Sequence, residues 1–264
     1  MNNQFSDLKG KWALVLGASS GFGAAVAKSL SEAGVNIYGV HLDRKSTMPE
    51  VEKTIAAIEA NGVQAVFNNM NASDAQKRQE AIAQLKEVSG GQGAHIVLHS
   101  LAFGALKPFI DESALTESQM NMTMDVMANS LVYWVQDLVK SGQLAKGGRI
   151  FAMTSAGSER VWKSYGAVSA AKSALESHIR QLSLELAPMQ VTANAIMAGV
   201  TDTPALRKIP GNDAMIEIAS QKNPYKRLTT PQDIADTILA LSLPHTHWLT
   251  GNVLGVDGGE RIVE

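Results

Sequence analysis

Short apolar runs alternate along the chain with longer segments in which apolar residues recur every three or four positions. The runs are "WALVLG", "VNIYGV", "VQAVF", "AHIVLHS", "RIFAMTS", "VTANAI" and "NVLGVDGG". Between them lie "GFGAAVAKSLSEAG" and the stretches 48–60, 73–88, 116–140 and 163–187, all with helical spacing. Strand followed by helix, repeated, predicts an α/β fold: a doubly wound parallel sheet with helices on both faces. The segment 201–224, "TDTPALRKIPGNDAMIEIASQKNP", breaks the alternation and carries Pro and Gly near its ends, so a small lid after the sixth strand is expected there. A plain structural insertion is the alternative.

Composition narrows the picture. With 264 residues and 45% hydrophobic content, residues 1–264 are expected to form one large domain rather than two small ones. A net charge of −2 with scattered Lys and Arg gives no basic footprint for a phosphate backbone, which argues against nucleic acid as a partner. The absence of cysteine excludes disulfides, thiolate catalysis and Cys-ligated zinc. The polar opening "MNNQFSDLKGK" lacks the apolar core of a signal peptide, and no uncharged apolar run approaches the ~20 residues needed to cross a bilayer. A cytoplasmic protein without membrane association is the expectation.

In sheets of this kind ligands bind beyond the carboxyl ends of the strands, predicted at Gly17, Val40, Asn69, Ser100, Ser155 and Met197. The first such end opens "GASSGFG", residues 17–23. There Gly17, Gly21 and Gly23, with Ser19, Ser20 and Phe22 between them, allow a tight turn and close approach of backbone N–H groups to a pyrophosphate at a helix N-terminus. A tight strand-to-helix connection is the plainer alternative, but position at the first turn of a strand–helix series favours a dinucleotide and a Rossmann-like sheet. The second strand tip, "GVHLDRKST", should meet the adenosine ribose. With His41 rather than an acid at the tip, and Asp43 expected to point away, Arg44 and Lys45 suggest a clamp for a 2′-phosphate and hence NADPH, with NADH as the alternative. The same residues also suit an exposed charged loop. The histidines show no spacing that predicts a metal site.

The helix expected at 163–187 carries Tyr165 and Lys172. Seven residues at ~100° each return to within about 20° of the starting direction with a rise of ~10.5 Å, which puts both side chains on one face. An unrelated core aromatic and a solvated charge is the ordinary alternative. Against it stand Ser155 at the preceding strand end, the glycine turn and the closing "VDGG".

From "GASSGFG" through "GNVLGVDGG" the chain resembles the short-chain dehydrogenase/reductases. Most members separate the catalytic Tyr and Lys by three residues and close the fourth strand with Asn-Asn-Ala-Gly. Here the ordinary tyrosine position, four residues before Lys172, holds Val168, whereas Ser155, seventeen before it, sits where the family's serine falls. The Tyr-x6-Lys spacing and "HSLAFG" resemble the enoyl-acyl-carrier-protein reductases, and "SAGSERVWKSYGAVSAAKSALE" resembles their NADPH-using form from Bacillus-like bacteria. The helix asparagine of ketone-reducing relatives is replaced by Met127, with Asn129 two residues out of register.

That resemblance implies reduction of the C=C of trans-2-enoyl thioesters, on acyl carrier protein or coenzyme A, in fatty acid biosynthesis. A ketone reducer needs its acid beside the carbon that accepts hydride. An enoyl reductase accumulates charge on the thioester oxygen two bonds further away, and moving the tyrosine back about one turn, ~5.4 Å along the axis, supplies a displacement of that order. By the same resemblance Tyr165 binds the enolate oxygen, Lys172 binds the nicotinamide ribose, and Ser155 completes the catalytic set. Asn71 and Ala72 flank the adenine, Ser100, Leu101 and Ala102 pass along the cofactor, and Gly199, Thr201 and Thr203 contact the carboxamide and pyrophosphate. Phe103, Trp162, Ala198, Leu206 and Met215 are candidate walls of the acyl channel. A homotetramer is expected from the apolar "LVYWV" on an interface-like helix, unless that face is buried in the monomer. The competing functions are a carbonyl-reducing member of the same family and an idle dinucleotide-binding regulator.

Overall fold

A computed structural model describes residues 3–263. Seven strands form one sheet: β1 Trp12–Leu16, β2 Asn36–His41, β3 Ala65–Asn69, β4 Ala94–His99, β5 Leu144–Ser155, β6 Thr192–Ala198 and β7 Val253–Val256. Their order is β3-β2-β1-β4-β5-β6-β7, and every neighbouring pair is parallel. This is the Rossmann-like α/β fold that the alternation predicts. β1 reads as an unbroken apolar run because it lies centrally and is covered on both sides, so all five of its residues are buried. Successive side chains alternate between the faces. Leu14 and Leu16 join a core with Trp134, Leu138, Ala171 and Leu175, while Ala13 and Val15 join the opposite core with Val26, Leu30, Ile58 and Ile234.

The helices are α1 Gly21–Glu32, α2 Met48–Glu59, α3 Ala75–Val88, α4 Glu117–Met124, α5 Ser130–Lys140, α6 Gly166–Glu185, α7 Asn212–Lys222 and α8 Pro231–Leu241. Three differ from expectation. The stretch expected as one helix over 116–140 contains a π-helical turn at Asp125–Asn129, between α4 and α5. The helix expected from 163 begins at Gly166, leaving Tyr165 as its N-cap at φ −96°, ψ 0°. Finally, α8 lies outside the predicted set; it packs against α1 through Ile234, Ala235 and Ile238. Its start was written in "TTPQD": Thr230 accepts from Asp233 N, Asp233 reaches back to the Thr230 N–H, and Pro231 fills the first turn.

Within "LVYWV", Leu131, Trp134 and Val135 are buried in the monomer, and the indole N–H of Trp134 donates to the Ala72 carbonyl at 2.9 Å. Tyr133 alone of the five is exposed. Most of the apolarity that suggested an interface is therefore used inside the chain. The segment expected as a lid contains α7 and a short 3₁₀ turn at Leu206–Lys208. No described helix is long and apolar enough to cross a membrane.

Candidate active site

Two glycines shape the first turn. Gly17 has φ +92°, and a Cβ there would come within 2.5 Å of the Ser100 carbonyl oxygen. A Cβ on Gly23 would overlap the carbonyl oxygen of Gly17. The β1 end, the start of α1 and the β4 end therefore meet with no room for side chains. Ser20, the N-cap of α1, makes no side-chain capping bond, so the first N–H groups of the helix remain available to an anion. Gly21 opens the helix beside the Thr203 side chain, where a Cβ would stand 3.7 Å from the methyl. Phe22 is half-buried against the core of the α1 face, and Ser19 lies within the turn. This cradle, closed by backbone and bordered by the buried Thr201 and Thr203, fits a dinucleotide pyrophosphate. Thr201 donates to the Gly199 carbonyl at 2.9 Å, and Thr203 accepts from Leu206 N at 3.2 Å, which ties the post-β6 loop to the lid.

At the β2 tip His41 is buried and its Nδ1 lies 3.0 Å from Asp43 Oδ2. Asp43 does not point away as expected. Thr47 donates to its other oxygen at 2.8 Å, and Asn69 brackets its backbone with two bonds of 2.9 Å. Burial works against the charge, but hydrogen bonds from Ser19, Thr47 and His41 outweigh it and hold the carboxyl below its ordinary range. The inward turn follows from these partners: a carboxylate so supplied is cheaper to keep half-buried than to release. Arg44 and Lys45 are exposed and form no ion pair among the described residues. Asn71 is exposed and Ala72 buried at the end of β3; Ser100 and Leu101 are half-buried and Ala102 exposed beyond β4.

At the β5 end the predicted catalytic residues converge. Tyr165 OH stands 3.3 Å from Ser155 Oγ, and the Tyr165 ring rests on Gly157, where a Cβ would strike it. Ser164, at φ +62°, turns the chain so that the ring enters the site from the loop before α6. Burial pushes the Tyr165 phenol up, opposed by the Ser155 hydrogen bond, so it stays protonated as a donor. Lys172 is buried and its Nζ donates to the Met153 carbonyl at 2.7 Å. Burial pushes its pKa down to about 8, against the charge of Glu176. Val168, in the ordinary tyrosine position, is buried; a Cβ on Gly104 would meet its methyl at 2.9 Å and Met127 Sδ at 2.8 Å. Position 168 is thus part of an apolar wall.

His99, at the β4 end, is wholly buried, with Nε2 2.8 Å from Ser130 Oγ and no hydrogen-bond partner at Nδ1. Burial, helped by the charge of Lys172, lowers its pKa to about 3, so the ring is neutral. Around the proposed acyl channel, Phe103 is 57% exposed, a large apolar ring left open to a ligand. Trp162 donates from Nε1 to the Pro210 carbonyl at 3.0 Å, joining the post-β5 loop to the lid. Ala198, Leu206 and Met215 are half-buried on the strand end, the 3₁₀ turn and α7. Sequence reasoning did not single out Gly104, Gly157, Thr154 or Glu176. Glycines within five residues of the strand ends β4 and β5 were the available signal for the first two. No group of three or more potential metal ligands occurs among the described residues.

Residues 17–260 match a family described as Enoyl-(Acyl carrier protein) reductase. A 1-cyclohexenylcarbonyl-CoA reductase of Streptomyces collinus is 29% identical, over 95% of this chain and 86% of that one. An L-xylulose reductase of Bos taurus is 26% identical, over 96% of this chain and 97% of its own length. The crystal structure of an enoyl-[acyl-carrier-protein] reductase (NADH) from Aquifex aeolicus VF5 superposes with a TM-score of 0.84 at 26% identity, covering 97% of this chain and 98% of that one. Other solved relatives carry NAD in one case and NADP in another. With its parallel sheet, its glycine cradle and its Ser155, Tyr165 and Lys172 cluster, the chain belongs to the short-chain dehydrogenase/reductase family of oxidoreductases.

Proposed function

We propose that the protein is an NAD(P)H-dependent enoyl thioester reductase that saturates the C=C of trans-2-enoyl chains carried on acyl carrier protein or coenzyme A, as in fatty acid biosynthesis. The observation that carries this reading is the pairing of Tyr165 with Ser155 while buried Val168 fills the position of a ketone-reducing tyrosine. The Streptomyces collinus relative and the Aquifex aeolicus structure support it, since both are reductases of enoyl-type thioesters by name.

When bound, the nicotinamide cofactor supplies a hydride for Cβ of the enoyl group. Tyr165, kept protonated by burial, donates a hydrogen bond to the thioester oxygen, where the negative charge gathers. Lys172 holds positive charge below the oxygen and binds the nicotinamide ribose through Nζ. Ser155 fixes the orientation of the phenol. Val168, Met127 and Gly104 keep water from the space behind the substrate. Protonation at Cα completes the reduction, one hydride and one proton being added across the double bond.

We assign NADPH as the preferred nucleotide, because Asp43 is already satisfied by His41 and Thr47 while Arg44 and Lys45 are exposed and unpaired among the described residues. Loss of NADPH preference in an Arg44→Ala, Lys45→Ala double variant is the expected result. Unchanged Michaelis constants for both nucleotides would remove the assignment. The protein is further proposed to be cytoplasmic and to form a homotetramer, and a single species of 28 kDa in light scattering would reject the latter.

The deciding experiment is a spectrophotometric comparison of crotonoyl and acetoacetyl thioesters with NADPH and NADH. Reduction of crotonoyl with little turnover of acetoacetyl is expected. The opposite pattern would establish the second reading, a carbonyl reductase, which the Bos taurus relative favours. No oxidation of either nucleotide with any substrate would leave an idle binding protein.

A further inference from the structure

Glu176 lies one helical turn beyond Lys172 on α6, so the two share a face. It is buried, and its Oε1 accepts a hydrogen bond of 2.6 Å from the Thr154 hydroxyl. The residue before Thr154 is Met153, whose carbonyl accepts from Lys172 Nζ at 2.7 Å. Two consecutive residues at the end of β5 therefore hold the ammonium and the carboxylate, one each. A hydroxyl that donates to a carboxylate fixes that charge in place, whereas an unclamped Glu would swing to solvent.

Removing an ammonium from water costs several kcal/mol unless an opposite charge offsets it. The ionisable groups around Lys172 are few. Its own helix offers Glu176, the start of α6 offers the Tyr165 phenol, and β4 offers His99. Thr154 and Ser155 on β5 are uncharged. His99, with its pKa near 3, and Tyr165, with its pKa raised, are both neutral near pH 7. Glu176 is thus the one acidic residue in this set.

We propose that Glu176, clamped by Thr154, is the fixed counter-charge that keeps Lys172 protonated, and so is a positioning residue for the reduction proposed above, on whose reading this inference rests. It touches neither substrate nor cofactor and acts through Lys172. Burial already brings Lys172 down to about 8, so without Glu176 the ammonium would be partly neutral at neutral pH. The phenol above it would then face a weaker positive field when the enolate forms.

The test is an NMR titration of the Lys172 side chain in the full-length protein, assigned by loss of its signal in Lys172→Met, for the parent, Glu176→Gln, Glu176→Asp and Thr154→Val. Glu176→Gln keeps the acceptor for Thr154 but removes the charge, and should move the Lys172 midpoint to lower pH by about one unit or more. Glu176→Asp should restore most of the shift, and Thr154→Val should show a smaller shift in the same direction. The basic limb of kcat/KM should move with the midpoint, with roughly tenfold loss above it and parent-like activity well below it. A Lys172 midpoint unchanged in a folded Glu176→Gln protein, or an equal loss of activity at every pH, would overturn the proposal. Should Glu176→Gln not fold, Thr154→Val decides, and an unchanged midpoint there overturns it. The titration needs no substrate, so a protein that shows the shift but leaves enoyl thioesters untouched would refute the proposed reaction and not the counter-charge.

Discussion

The phenolic oxygen of Tyr165 and the hydroxyl of Ser155 stand 3.3 Å apart, although one side chain enters from the loop before α6 and the other from the end of β5. In the proposed reaction this contact marks where the oxyanion is held. Tyr165→Phe should lower turnover of crotonoyl thioesters by roughly 10²–10³, the range for one lost oxyanion donor, with cofactor affinity unchanged. Ser155→Ala should cost about tenfold or less, since it removes a neutral hydrogen bond to the donor and not the donor itself. Steady-state kinetics with parallel fluorescence titration of the cofactor separates the two effects. Loss of cofactor binding in Tyr165→Phe would contradict the assignment.

Burial pushes the Lys172 ammonium down to about 8, against the charge of Glu176. Its charge is present below that value and lost above it. Cofactor affinity should therefore weaken as pH rises through about 8, and Lys172→Met should bind weakly at every pH with that dependence removed. Fluorescence titration of the nucleotide from neutral to alkaline pH measures both. A parent affinity that is flat across this interval would show that the ammonium does not hold the ribose.

His99 should make the fold sensitive to acid. Its folded pKa of about 3 lies below the ordinary 6.5, so between these values the unfolded chain takes up a proton that the folded chain refuses. Stability from this group is intact above 6.5 and declines as pH falls toward 3, by at most about 1.4 kcal/mol per pH unit. His95, lowered to about 4 by burial and by Lys11 and Arg149, acts in the same direction. His99→Gln should flatten the fall in Tm between neutral pH and pH 4 without removing it. An unaltered slope would mean that another group carries the acid sensitivity.

The glycine turn can be tested at one atom. A Cβ on Gly23 would overlap the Gly17 carbonyl oxygen, whereas one on Gly255 meets nothing within 4 Å. Gly23→Ala should destabilise the fold by about 1–3 kcal/mol, as overpacking does, and weaken cofactor binding strongly. Gly255→Ala, in strand β7 rather than in a helix, should leave both near the parent values. Chemical denaturation and nucleotide titration provide the comparison.

The five inner strands were legible because buried parallel strands must be written as apolar runs, whereas the edge strands β3 and β7, which hold no buried residue, were marked by their place in the alternation. The proximity of Ser155 and Tyr165, with Lys172 on the Met153 carbonyl, was legible because the end of β5 and the start of α6 are brought together by such a sheet. The rest left weaker marks. The π turn at Asp125–Asn129 shifts hydrogen bonds by one residue without disturbing the apolar period of its helix. Tyr165 stands just outside the helix as its N-cap, since a seven-residue spacing does not report where the first turn closes. Asp43 was expected to point away to leave the strand tip to Arg44 and Lys45, whereas its side chain is held by His41 and Thr47 nearby in the chain and its backbone by Asn69 from β3. Glu176 is a polar residue on a buried face, a pattern that periodicity reads as noise until Thr154 is seen opposite it. The α8 helix was missed between two irregular stretches despite its capping box.

The left-handed turn at Ser164 means that Tyr165 and Lys172, the phenol and ammonium of the proposed reaction, are mounted on different supports. Lys172 rides on the rigid barrel of α6, locked to Met153, whereas Tyr165 is carried by the loop that precedes it. Insertions or replacements in 156–164 should shift the reach of the phenol without moving the ammonium. Under the proposed reaction, redesign of the bond that is reduced should therefore start in that loop, leaving the helix untouched.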